Sequence, residues 1–267
     1  MSRSFAEKIM PPTILTFFAH PDDETMLAGG TLALLAMHGA QLHYLCATRG
    51  EGGETGEPPL CAQESLGAVR EQEMVCAVQA LGGRSLTFLG YTDPLVGADG
   101  SLHPYTDDLT TLAGQVAASI RQYHPQAVIT HGVNGEYGHP AHVLTYQAAS
   151  IAVQSLGEAA PVLYCVSAAW DGHPRPRLAN RDQRAHFTLD VQAALERKTH
   201  AALCHKTQHA LFTRRSSQEA GRPLSVVEVV ARYAVESLHR AWPAADARPD
   251  DALARFLQTI PGVMPLQ

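Results

Sequence analysis

Short apolar runs alternate with segments of helical periodicity along almost the whole chain, and this alternation constrains the fold most tightly. Residues 14–19 form a compact apolar, partly β-branched run. Residues 24–37 follow with Leu27, Leu34 and Leu35 at helical spacing, and Gly39 ends them. A second strand is expected over 42–48. A long helix is expected over 62–81, with Leu66, Val69, Met74 and Val78 inward and Gly82-Gly83 as its stop. A third strand at 86–89 leads into a loop rich in Gly, Pro and Asp over 90–105. A helix starting at Asp107 or Asp108 then runs to about Tyr123. A strand at 127–131 and a helix from Pro140 to about Ser155 come next. Strands at 162–166 and 186–189 follow, and helices near 191–204 and 226–238 complete the count. Residues 244–251 read as a surface loop before a last short helix.

Strands separated by helices pair in parallel through right-handed crossovers. About six strands are too few for the eight-stranded barrel. The expected fold is therefore α/β, a Rossmann-like open and mostly parallel sheet with helices on both faces, in one domain spanning 1–267. Composition agrees with a buried core: 45% of residues are hydrophobic and 17% charged. The longest apolar run, residues 26–37, falls short of the roughly 20 residues that cross a bilayer. Residues 1–10 carry Arg3, Glu7 and Lys8 without a secretory apolar region, and the cysteine content points to a reduced, cytoplasmic protein. A net charge of −6 without a Lys/Arg cluster argues against a nucleic-acid partner. The cysteines, Cys46, Cys61, Cys76, Cys165 and Cys204, are odd in number and form no Cys-x-x-Cys. They read as reduced thiols, with neither a disulfide framework nor a thiolate zinc site.

In such sheets ligands bind beyond the carboxyl ends of the strands. The first strand runs into His20-Pro-Asp22-Asp23-Glu24, and the fourth reaches Tyr137, His139 and His142. His20 and Asp23, three residues apart at a strand-to-helix turn, can converge on one ion, with Asp22 beside it. Helix capping by the same aspartates is the plain alternative. One of His139 and His142 can complete a His/Asp/His triad, and the other can stand over a substrate oxygen. The segment Gly50-Glu51-Gly52-Gly53-Glu54-Thr55-Gly56 lacks the dinucleotide fingerprint, and its glutamates would repel a pyrophosphate. That weighs against a nucleotide-dependent oxidoreductase. Neither a nucleophile elbow nor a phosphate-binding Lys loop occurs.

The combination Ala19-His-Pro-Asp-Asp-Glu24 with Gly138-His-Pro-Ala-His142 resembles the LmbE-like superfamily of zinc-dependent de-N-acetylases acting on N-acetylglucosamine conjugates. Further matches are Thr48-Arg-Gly-Glu51, Val69-Arg-Glu-Gln-Glu73, Phe88-Leu-Gly-Tyr91 with Asp93, and His205-Lys-Thr-Gln208. The resemblance implies zinc, or another divalent ion, held by His20, Asp23 and His142. It implies Asp22 as general base, His139 as the charged or donating group at the tetrahedral intermediate, and Tyr137 as polariser of the acetyl carbonyl. It places Arg49, Glu51 and Asp93 at the sugar or its aglycone and His205 near the site. It implies a small-molecule N-acetylated sugar conjugate as substrate, with homo-oligomers common among relatives. Hydrolysis of another N-acyl amide, or a catalytically impaired sugar-binding relative, are the alternative readings. The family's second motif often carries Asp where this chain has Ala141, which removes a carboxylate from beside His139.

Overall fold

The computed structural model describes residues 9–244 and 248–266. Residues 1–8 and part of the expected loop at 244–251 lie outside the described residues. In chain order the elements are β1 (Thr13–Phe18), α1 (Asp23–Met37), β2 (Gln41–Thr48), α2 (Leu66–Leu81), β3 (Ser85–Tyr91), α3 (Leu109–Tyr123), β4 (Ala127–Thr130) and the single turn α4 (Gly135–Gly138). Then come α5 (Pro140–Gln154), β5 (Val162–Val166), β6 (Ala168–Ala169), β7 (Asn180–Arg184), β8 (Phe187–Asp190) and α6 (Leu195–Cys204). The last are α7 (His209–Ala220), α8 (Val226–Ala231), β9 (Val235–Trp242), α9 (Ala252–Leu257) and β10 (Val263–Pro265).

Eight strands form one sheet in the order β10-β8-β9-β5-β4-β1-β2-β3, and β6 and β7 form a small second sheet. The run from β3 to β5 is parallel, whereas β9 pairs antiparallel with both β5 and β8, and β10 with β8. The sheet is thus mostly parallel in its N-terminal half, as expected, with an antiparallel extension. The single helix expected over 226–238 is in fact α8 followed by β9. Alternate residues of β1 feed opposite faces. Ile14 and Phe18 pack with Leu34, Leu35, Met74 and Leu81 under α1 and α2. Leu15 and Phe17 pack with Leu112, Val116, Ala148 and Val153 under α3 and α5. A strand covered on both faces reads as a continuous apolar run, which is why β1 and β4 stand out in the sequence.

The chain winds outward from β1 through β2 to β3, then returns to place β4 on the other side of β1. Strand order therefore reverses between β1 and β4, which opens a crevice at their carboxyl ends. Helix α1 is pinned below that crevice. Glu236 of β9 accepts hydrogen bonds from the Gly30 and Thr31 amides (2.9 and 2.7 Å) and from Lys198 Nζ (2.7 Å). Gly30 permits this approach, since a Cβ there would lie 2.4 Å from Val191 Cγ2.

The cysteines depart from expectation. Cys76 of α2 and Cys204 of α6 form a disulfide, leaving Cys46, Cys61 and Cys165 free. The two partners are 128 residues apart. Only the packing of α2 against α6 makes them neighbours, and local spacing in the sequence carries no trace of it.

Candidate metal centre and active site

The crevice at the ends of β1 and β4 gathers the two motifs. His20 Nδ1 lies 3.3 Å from Asp23 Oδ2, and His142 Nε2 lies 3.3 Å from Asp23 Oδ1. All three side chains are buried. Asp23 also ties itself to the turn, accepting the His20 amide at 2.9 Å. Asp22 precedes the helix with φ of 100°, and its side chain caps no amide of α1. Such a backbone costs an L-residue about 1–2 kcal/mol. The capping alternative therefore fails for Asp22. Its Oδ2 instead accepts Arg70 Nη2 at 3.0 Å.

Arg70 is the first residue that the sequence reading left without a role. It is almost wholly buried on the inner face of α2, while Val69, expected inward, is only half-buried. Its guanidinium also donates to the carbonyls of Gly50 (2.9 Å) and Pro21. The signal was an arginine four residues before the core residue Met74. Burial pushes the Asp22 pKa up to about 6, against the opposing pull of Arg70.

Glu136 is the second omission, and it organises the other half of the site. The turn that carries it is left-handed at both Gly135 (φ 56°) and Glu136 (φ 59°). Glu136 Oε2 accepts His142 Nδ1 at 2.7 Å and His131 Nδ1 at 2.9 Å. Its Oε1 accepts the Gly132 amide and Asn180 Nδ2, both at 3.0 Å. With Nδ1 of His142 donating to Glu136, Nε2 is the nitrogen that faces Asp23 and the one left to bind an ion once it is deprotonated. In metal sites such a carboxylate–histidine pair fixes the tautomer of the coordinating ring. His131 resembles a ligand in position but is already satisfied: Ala19 N–H donates to its Nε2 at 3.1 Å. It serves as a strut between β1 and β4.

His131, His142 and His139 stack in a column, with ring centroids 3.9 and 4.5 Å apart. His139 accepts the Ala141 amide at Nδ1 (3.2 Å), so its proton sits on Nε2. Burial, together with His142 and His20 beside it, lowers the His139 pKa to about 3. His139 is therefore a neutral imidazole whose Nε2–H can donate. Ala141 is fully buried in the apolar cluster with Leu15 and Leu144. Tyr137, partly covered by the site, sets its ring edge-on to His139 and His142, both at 5.6 Å. Burial and Asp23 raise its pKa, which keeps the phenol protonated.

The remaining expected residues divide. Asp93 Oδ1 stands 3.2 Å from His20 Nε2. Glu51 Oε2 accepts the Asp93 amide at 3.1 Å and so holds that loop. Arg49 lies at the half-open rim, paired with Glu51 Oε1 at 3.1 Å and not in contact with the His/Asp cluster. His205 is wholly buried and bonds Glu24 Oε1 at 2.9 Å, while Glu24 Oε2 accepts the Asp22 amide at 3.0 Å.

The donor set suits a divalent cation. Five largely buried carboxylates, Asp22, Asp23, Glu24, Asp93 and Glu136, surround a few imidazoles and one guanidinium. Burial opposes a charge on His20, yet the Asp23 and Asp93 carboxylates outweigh it and lift its pKa to about 9. A site that draws a proton onto its imidazole carries surplus negative charge, which a metal ion can neutralise in the proton's place. Two imidazoles and one carboxylate match the protein ligands of a catalytic zinc site.

The family profile described as PIG-L, GlcNAc-PI de-N-acetylase, matches residues 15–153. A 1D-myo-inositol 2-acetamido-2-deoxy-alpha-D-glucopyranoside deacetylase of Acidothermus cellulolyticus is 31% identical over 283 aligned residues, covering 92% of this chain and 95% of the relative. Among solved structures, GalB, the 4-carboxy-2-hydroxymuconate hydratase from Pseudomonas putida KT2440, aligns with a TM-score of 0.59 at 21% identity, over 89% of this chain and 99% of its own. N,N'-diacetylchitobiose deacetylase from Pyrococcus horikoshii aligns with a TM-score of 0.53 at 18% identity, over 78% and 74%. A hydratase and a deacetylase share this fold, so the reaction has to be read from residues. By profile and by near full-length identity, this chain belongs to the PIG-L (GlcNAc-PI de-N-acetylase) family.

Proposed function

We propose that the chain, as a single catalytic domain, is a zinc-dependent de-N-acetylase. It removes the acetyl group from an N-acetylglucosamine-type conjugate, a small molecule of the cytoplasm, and yields acetate and a free amine. The observation that carries this is the meeting of His20, Asp23 and His142 while Arg70 holds Asp22 off the triad. His20, Asp23 and His142 would hold the ion, which when bound supplies Lewis acidity and lowers the pKa of water. Asp22 takes the proton of the attacking water at its carboxylate and later delivers it to the departing amine. Arg70 keeps that carboxylate aimed. His139 Nε2–H and the Tyr137 hydroxyl donate to the oxygen that gains charge as the carbonyl is attacked, where one lost donor costs about 100-fold or more. Arg49 at the rim is our assignment for contact with the sugar, with Glu51 and Asp93 shaping the wall beside it.

The test is acetate release from N-acetylglucosamine conjugates with and without chelator, beside the same assay on Asp22→Asn. Chelator-sensitive release that Asp22→Asn reduces at least 100-fold, with metal content unchanged, is the expected result. Release from simple N-acyl amines but from no sugar would move the reading to another amidase. Bound metal without acetate from either class would remove the deacetylase reading.

A further inference from the structure

Helices α2 and α6 lie side by side at the surface, and the Cα atoms of Cys76 and Cys204 are 5.7 Å apart. His200, one turn before Cys204 on α6, turns its ring to the same point. One ligand atom from each of Cys76, His200 and Cys204 lies within 4.8 Å of the others. Cys76 and His200 are exposed, whereas Cys204 is buried. We propose that this cluster is a second metal site, distinct from the His/Asp centre, that opens when the disulfide is reduced and takes one thiophilic ion of the zinc class.

The chemistry balances as a dithiol exchange. A small dithiol reductant attacks the sulfur of Cys76, the exposed residue of the pair, and the Cys76–Cys204 bond breaks. The reductant leaves as its own disulfide, having supplied two electrons and two protons. Cys76 and Cys204 become thiols, and both protons are released when a divalent ion binds the thiolates. Around tetrahedral zinc, bonds of about 2.0–2.3 Å put neighbouring ligand atoms roughly 3.5–3.8 Å apart. The three ligand atoms lie within 4.8 Å of one another, so small side-chain rotations reach that geometry. His200 and Cys204 share one helix face at i and i+4, and Cys76 closes the set from the facing helix. Exposure of Cys76 and His200 leaves the fourth position to water.

The two sites differ in kind. The His/Asp centre offers nitrogen and oxygen, while the α2–α6 cluster offers two sulfurs and one nitrogen, which favours zinc, cadmium or copper(I) over magnesium or calcium. Disulfide and metal exclude each other, so the cluster is a redox-gated metal site. It stands independently of the deacetylase reading.

Cobalt(II) titration of the full chain tests it, because only thiolates give sulfur-to-cobalt charge-transfer absorption. We expect the dithiol-reduced protein to bind one more cobalt ion than the oxidised protein and to show that absorption. Cys76→Ser, at an exposed position, should abolish both the extra ion and the absorption. His200→Ala should keep the absorption and weaken binding at least tenfold. Equal cobalt counts in the two redox states, or an absorption that survives Cys76→Ser, would overturn the proposal.

Discussion

Replacing Glu136 by Gln probes the least visible part of the site. The substitution keeps the shape of the side chain and removes one acceptor and the charge. Four donors converge on the native carboxylate: His142 Nδ1, His131 Nδ1, the Gly132 amide and Asn180 Nδ2. In one orientation the new NH2 faces the Gly132 and Asn180 donors. In the other it faces the histidines, which must then move their protons from Nδ1 to Nε2. For His142 that shift occupies the nitrogen facing Asp23. For His131 it sets Nε2–H against the Ala19 amide. Hydrogen bonds to a charged partner are worth about 1.5–3 kcal/mol each, and loss of one member of a buried charged set costs about 3–5 kcal/mol. We therefore expect the metal-free variant to lose about 3–5 kcal/mol of unfolding free energy. Zinc affinity, measured by competition with a chromogenic chelator, should fall about 10–100-fold. Zinc affinity within twofold of the parent would refute the proposed tautomer control, whatever the change in stability.

Arg70→Met should keep the zinc content while lowering kcat about 100-fold, because Arg70 touches Asp22 and none of the three expected ligands; a parallel loss of metal would show that Arg70 supports the ligands instead. Zinc should protect the folded chain, adding about 2.7 kcal/mol at a free concentration one hundred times Kd, read as a rise in Tm that His142→Ala abolishes. Gly52→Ala should displace the loop bearing Asp93, since a Cβ at Gly52 would lie 1.9 Å from the Pro94 carbonyl oxygen; we expect a loss of about 1–3 kcal/mol in denaturant titration, and an unchanged midpoint would contradict it.

The parallel half of the fold was legible because its strands are buried on both faces and its helices end at clear stops such as Gly39 and Gly82. The antiparallel extension was not. Val226, Val229 and Val230 keep helical spacing, and the apolar residues of β9 continue the pattern, so periodicity alone does not separate α8 from β9. β10 is too short to carry a pattern. At the site, His20, Asp22, Asp23, His139 and His142 were visible because each motif is local and sits just past a strand. Glu136, Arg70 and Asn180 act through contacts across 6, 48 and 44 residues of separation, which no local spacing encodes. Arg49 and Glu51 were read toward the substrate, and the structure shows them bonded first to each other and to the Asp93 loop. His205, placed near the site by the family resemblance alone, is buried and reaches Asp22 only through Glu24.

The division of the ligand set between β1 and β4 has a consequence for how the protein is made. His20 and Asp23 leave the ribosome about 120 residues before His142, a delay of roughly 6–24 s at ordinary elongation rates. During that interval the nascent chain offers only two of the three proposed ligands. On the proposed ligand set, an ion would load only after β4 has docked alongside β1 and the Glu136 turn has closed behind it. Occupancy of the centre would then serve the cell as a certificate that the two central strands have met.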